Sequence, residues 1–138
     1  MMNIDQIYPK VREIIADVLV IDEDEIKLTS RLISDLGAES IDFLDLVFQL
    51  EKEFSVKIPR GQLEKNARGE LSEHEFEKSG VITPAGLSSL KRYLSEIPAS
   101  EFKDNMKVNE IPWLFTVETF CKLVSLAINE KSAQEITA

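Results

Sequence analysis

Three separate stretches of this chain repeat apolar residues at three- and four-residue steps, a spacing that a helix turns into one continuous face. The first runs from Ile4 through Ile7, Val11, Ile14, Ile15, Val18 and Leu19, with Asn3 or Asp5 available as its cap. Pro9 falls near the start, where a missing N–H costs least. The second, SIDFLDLVFQLEKEF from about Ser40 to Phe54, collects Asp42, Asp45, Gln49, Lys52 and Glu53 on one side. Its apolar residues then cover roughly 200° of the helix, more than a single core contact requires. The third follows Thr116 as Val117, Phe120, Cys121, Val124 and Ile128, and the tail after Glu130 is expected to fray.

Between these stretches the chain reads as connections. Residues 21 to 38 hold acids, a Thr-Ser pair and a glycine, the composition of a loop that ends in a turn, with Leu28, Leu32, Ile33 and Leu36 pinning it to the core. Asp22 and Asp24 do not found a calcium loop, because Lys27 stands where glycine is needed and Ile26 offers no oxygen. From about Gly61 to Ser79 the chain is charged and poor in large apolar residues, which predicts a surface excursion. Thr83 as cap and Pro84 at the first turn then open a helix over 84–97, with Leu87, Leu90, Tyr93, Leu94 and Ile97 inward and Pro98 as its stop. In the following IPWLF, Trp113 is expected to anchor the link; exposed, it would point instead to a partner contact. With 5 Gly and 5 Pro in 138 residues, an all-α fold in a single domain is predicted.

Charge and rare residues exclude several functions. The formal net charge of −9, concentrated in the first half, disfavours nucleic acid and anionic membranes and favours basic protein partners. One cysteine and one histidine, Cys121 and His74, cannot make an internal disulfide, a zinc site or a nearby nucleophile pair. Cys121 is expected to act as a small buried hydrophobe. No apolar run is long enough for a membrane span, so no membrane insertion and a cytoplasmic location are expected. There is no Gly-rich phosphate loop and no base identifiable beside a serine, so no catalytic residue and no metal ligand is assigned, and the chain is not expected to be an enzyme.

The informative segment is Asp35-Leu36-Gly37-Ala38-Glu39-Ser40-Ile41-Asp42, which sets a serine beside a glycine turn at a helix start. Backbone N–H groups there lack intrahelical partners and sit at the positive end of the dipole, so a phosphodiester on Ser40 would be stabilised. Equally, Ser40 can be an ordinary N-cap. The run DLGAESIDFLDLVFQLEKEFSVKIP resembles the DLG-x-DSL-D segment of acyl carrier proteins. Glu39 stands for the usual Asp and Ile41 for the usual Leu, keeping charge and apolarity. The resemblance is closest to specialised carriers that deliver very long hydroxylated acyl chains to lipid A.

That resemblance implies a four-helix bundle and a 4′-phosphopantetheine arm attached to Ser40 by a phosphopantetheinyl transferase. It also implies that Asp35, Glu39, Ile41, Asp42, Asp45 and Glu53 dock the transferase, ketosynthases and acyltransferases. Phe43, Leu46, Val47, Leu50 and Phe54 would shelter the acyl chain, and a monomer is expected. The resemblance covers residues 1 to 60 well. The remainder then carries an insertion over about 61–107 with its own helix, Val108 to Leu114 and 116 to 128 resembling the third and fourth helices; in the rival alignment, 84 to 97 is the fourth helix. A freestanding peptide or polyketide carrier, and an interaction module without the arm, are the alternative functions.

Overall fold

A computed structural model describes residues 3–59 and 62–137, apart from the side chains of Ser40, Glu64 and residues 132–137. The chain forms helices α1 (Ile4–Leu19), α2 (Ser40–Phe54), α3 (Gln62–Arg68), α4 (Glu73–Phe76), α5 (Pro84–Tyr93) and α6 (Val117–Thr137). Strands β1 (Glu77–Lys78) and β2 (Val81–Ile82) make a short hairpin, and 3-10 turns occupy Glu23–Glu25, Ala99–Glu101 and Val108–Leu114. The all-α reading therefore holds, with two residues per strand as its only departure among the described residues. Two compact units result: Met1–Pro59 with Phe115–Ala138, and Arg60–Leu114.

In the first unit, α1 packs on α6 and α2. Asn3 caps α1 reciprocally: its side chain accepts from the Gln6 N–H at 3.0 Å, and Gln6 Oε1 accepts from the Asn3 N–H at 2.9 Å. Pro9 lies in the second turn, where it withholds a donor from the Asp5 carbonyl. Asp5 is exposed, so water can serve that oxygen. The periodic residues Ile7, Val11 and Ile15 are buried, as their spacing requires. Leu46 and Leu50 of α2 and Val117, Phe120, Cys121, Leu123 and Val124 of α6 are buried as well, on helices that pack on α1. α6 is buried on more than the one stripe its periodicity suggests, because Thr119 and Leu123 are buried as well. Thr116 opens it: the Thr119 N–H donates to Thr116 Oγ1 at 3.2 Å while the Thr116 N–H donates to Thr119 Oγ1 at 3.1 Å. The expected fraying after Glu130 is not what the backbone does, since α6 continues to Thr137. Lys131 Nζ donates to the Ser55 carbonyl at 2.8 Å, tying the later turns of α6 to the end of α2.

The second unit corrects the reading of residues 61–79 as a mere surface excursion. It holds α3, α4 and the hairpin, and buries Ala67 and Phe76. Two local devices account for this. Ser72 and Glu75 form a capping box that starts the short α4. Ser79 and Gly80, with φ of 53° and 82°, make the left-handed pair that a two-residue hairpin turn needs. Thr83 caps α5 as expected, its side chain accepting from the Gly86 N–H at 3.0 Å. α5 ends at Tyr93, short of the predicted Ile97, while Leu94 and Ile97 remain buried in the turn that follows. Trp113 is 55% exposed, so the anchors of its segment are Ile111 and Leu114 instead.

Candidate functional site

The loop before α2 is held by backbone hydrogen bonds. The Asp35 and Leu36 N–H groups both donate to the Arg31 carbonyl at 3.1 Å, and Asp35 Oδ2 accepts the Arg31 N–H at 2.9 Å. Gly37 then takes φ +76°, a left-handed conformation that L side chains rarely adopt, and the Ala38 N–H donates to the Leu32 carbonyl at 2.8 Å. Leu32 and Ala38 are buried, which fixes both ends of this turn to the core.

The N-cap of α2 is Glu39, in extended conformation, and Ser40 is the first helical residue. The Glu39 N–H donates to Asp42 Oδ2 at 2.8 Å, so the acidic residue of the first turn does the capping. The reading of Ser40 as an ordinary N-cap is thereby corrected. The Ser40 side chain lies outside what is described, but its backbone stands at the N-terminus of a 15-residue helix between exposed Glu39 and exposed Ile41. These residues fit a phosphate-linked arm: the N-cap position belongs to Glu39, the helix start offers N–H donors, and Glu39 and Ile41 are exposed.

The apolar arc of α2 divides into two functions. Leu46 and Leu50 are buried, and Phe43, Val47 and Phe54 are half-buried. By contrast Ile41, Leu44 and Phe48 are 68%, 54% and 56% exposed. Interleaved with them are exposed Asp45 and half-buried Asp42, giving an apolar strip flanked by acids. Asp35 and Glu39, both exposed, extend the acidic rim to the turn. Glu53 is set apart: at the far end of α2 its Oε1 lies 3.3 Å from Lys10 Nζ of α1, which also pairs with Glu13 at 3.3 Å and has its amine pKa raised by hydrogen bonding to both carboxylates. That pairing, with side chains more than two-fifths exposed, adds little to stability and leaves Glu53 outside the strip.

Phe115 is the residue that sequence reasoning missed. Its ring lies 6.0 Å from Phe43 and 6.2 Å from Phe120, while Phe43 and Phe120 are 5.6 Å apart. Its only sequence signal was membership of IPWLF, in which Trp113 drew the attention because of its size. No group of His, Cys, Asp and Glu side chains able to hold a metal ion occurs among the described residues.

Known proteins resemble part of this chain. The family model for the phosphopantetheine attachment site matches residues 9–74. The acyl carrier protein AcpXL of Rhizobium meliloti is 42% identical over 76 residues, covering 54% of this chain and 80% of that protein. The acyl carrier protein of Clostridium acetobutylicum is 48% identical over 59 residues, 43% of this chain and 77% of its own length. That of Thermotoga maritima is 43% identical over 65 residues, 47% of this chain and 80% of its own length. With this identity over most of the relatives' length, the chain belongs to the acyl carrier protein family, and its prosthetic group is a covalently bound 4′-phosphopantetheine.

Proposed function

We propose that Ser40 bears the arm and that the chain carries acyl groups as thioesters to enzymes of lipid synthesis, those of lipid A among them. The observation that carries this reading is the placement of Ser40 as first residue of α2, after a helix start capped by Glu39 and Asp42 and the left-handed turn at Gly37. The arm supplies the thiol. The chain supplies a fixed helix start, whose N–H groups and dipole favour the phosphodiester. It contributes no catalytic group of its own; the hydroxyl is activated by the transferase.

Ile41, Leu44 and Phe48 give partner enzymes an apolar contact, and Asp35, Glu39, Asp42 and Asp45 steer basic grooves toward it. Such contacts form fast, weaken with salt and release readily, as a shuttle requires. Phe43, Leu46, Val47, Leu50 and Phe54 are the residues past which an acyl chain would enter the core of the first unit, each sheltered methylene contributing about 0.8 kcal/mol. Residues from about 61 to 107 are an insertion with its own helix, Val108–Leu114 corresponds to the carrier's third helix, and α6 is its fourth. In support, α6 packs on α1 and α2, whereas α5 packs on α3 and α4.

The test is intact mass after incubation with coenzyme A and a broad-specificity phosphopantetheinyl transferase, comparing native protein with Ser40→Ala. The native chain is expected to gain one phosphopantetheine and the variant none. Loading of the variant, or none on native protein with an active transferase, would refute the assignment.

A further inference from the structure

Phe115 is the first residue of the chain after Leu114, where the sequence returns from residues 60–114 to the first unit. It grips the surroundings of Ser40 from two directions. Toward the loop, its carbonyl accepts the Leu32 N–H at 3.1 Å, and the next residues extend the pairing: Thr116 bridges Arg31 in antiparallel fashion, and the Val117 N–H donates to the Ser30 carbonyl at 3.0 Å. The Leu32 carbonyl in turn accepts the Ala38 N–H at 2.8 Å, two residues before the serine. Toward the helix, the buried Phe115 ring lies against Phe43, three residues after Ser40 and so one turn along the same side of α2. Phe120 completes the cluster, meeting the Phe115 ring edge-on at 88°.

A serine that must enter another enzyme's active site reacts only if its loop and helix start hold one geometry, because small misplacements of a reacting group cost large factors in rate. We propose that Phe115 is a positioning residue for Ser40: its backbone carbonyl holds the loop through Leu32 and Ala38, and its ring holds the start of α2 through Phe43. The proposal rests on the reading of Ser40 as the attachment residue. It also gives the returning segment a role: the residue that holds the serine's surroundings lies after Leu114 rather than within residues 1–60.

The experiment compares Phe115→Leu and Phe115→Tyr with native protein in the full chain, following loading kinetics with coenzyme A and transferase and, separately, amide hydrogen exchange by NMR. Phe115→Leu keeps an apolar side chain and loses the ring; Phe115→Tyr keeps the ring. Val11→Ala controls for stability, because it empties a buried site on the part of α1 where Lys10 reaches Glu53, some 20 Å along α2 from Ser40. Phe115→Leu is expected to reduce loading about tenfold, through a raised KM for the carrier, and to speed exchange at Phe43 and Leu44 near the start of α2, with Phe115→Tyr close to native in both. Val11→Ala is expected to load at the native rate below its melting temperature. Loading and exchange of Phe115→Leu no different from Val11→Ala would overturn the proposal. If native protein does not load at all, the Ser40 reading fails, while the exchange comparison still decides whether the Phe115 ring holds the start of α2.

Discussion

Leu44 and Leu46 sit two positions apart on α2 and should respond oppositely to the same truncation. Leu44 is 54% exposed and Leu46 fully buried. Burying a whole leucine side chain is worth about 1.5–3 kcal/mol, so the uncovered half of Leu44 can give a docking partner about 1–1.5 kcal/mol. Leu44→Ala therefore raises the KM of a partner enzyme about five- to tenfold, with stability changed by no more than about 0.5 kcal/mol. Leu46→Ala removes transfer energy and leaves a cavity in the first unit's core, costing about 2–5 kcal/mol. For a chain of 138 residues a loss near 3 kcal/mol lowers Tm by about 10 °C. Steady-state loading by the transferase and thermal melts on both variants check the pair. If Leu44→Ala destabilises like Leu46→Ala, or leaves every partner's KM at its native value, the division of the α2 surface into core and docking strip is wrong.

Three further outcomes follow from single sites. Val20, at the end of α1, holds φ 55° and ψ 53° with its side chain 87% exposed, so Val20→Gly relieves a left-handed β-branched residue at almost no cost in burial. After the entropy of the glycine in the unfolded chain, a gain of about 0.5–1 kcal/mol is expected in denaturant melts. Gly86→Ala would set a Cβ 2.2 Å from the Phe76 carbonyl oxygen, so backbone must move. A loss of about 1–3 kcal/mol, read as faster amide exchange in α4 and α5, is the expected result. Burial, with Glu118 nearby, pushes the pKa of the Cys121 thiol up to about 12, well above that of a free thiol. The folded state thus holds this proton more tightly than the unfolded chain, so its contribution to stability is complete below about pH 9 and is lost as pH rises toward 12. Cys121→Ala should flatten that alkaline loss in pH-dependent melts.

Much of the first unit was legible because its signals are local. The three-four spacing of α1 and α2, the Asn3 cap and the glycine of the DLG turn each act within a few residues. The site's less legible parts depend on partners distant in sequence. Which side of the wide arc of α2 would be core was decided by α1 and α6, so the same arc yields both buried Leu50 and exposed Phe48. Glu39 displaced Ser40 as cap because Asp42 could reciprocate, a choice that residue preference alone does not make. In the second unit, charged α3 and α4 looked like surface because, among their described side chains, only Ala67 and Phe76 are buried, too few to generate periodicity. Phe115 was hidden for another reason: its importance comes from pairing with residues some 70–85 positions earlier.

The central claim is most directly tested by locating the arm on the protein. Purified holo-protein would be digested and the peptides covering Leu28 to Lys57 fragmented by mass spectrometry, so that the modified residue is read from the fragment series. The account predicts one phosphopantetheine on Ser40 and unmodified Ser30, Ser34 and Ser55; the arm on any other residue, or its absence from protein exposed to an active transferase, would contradict it.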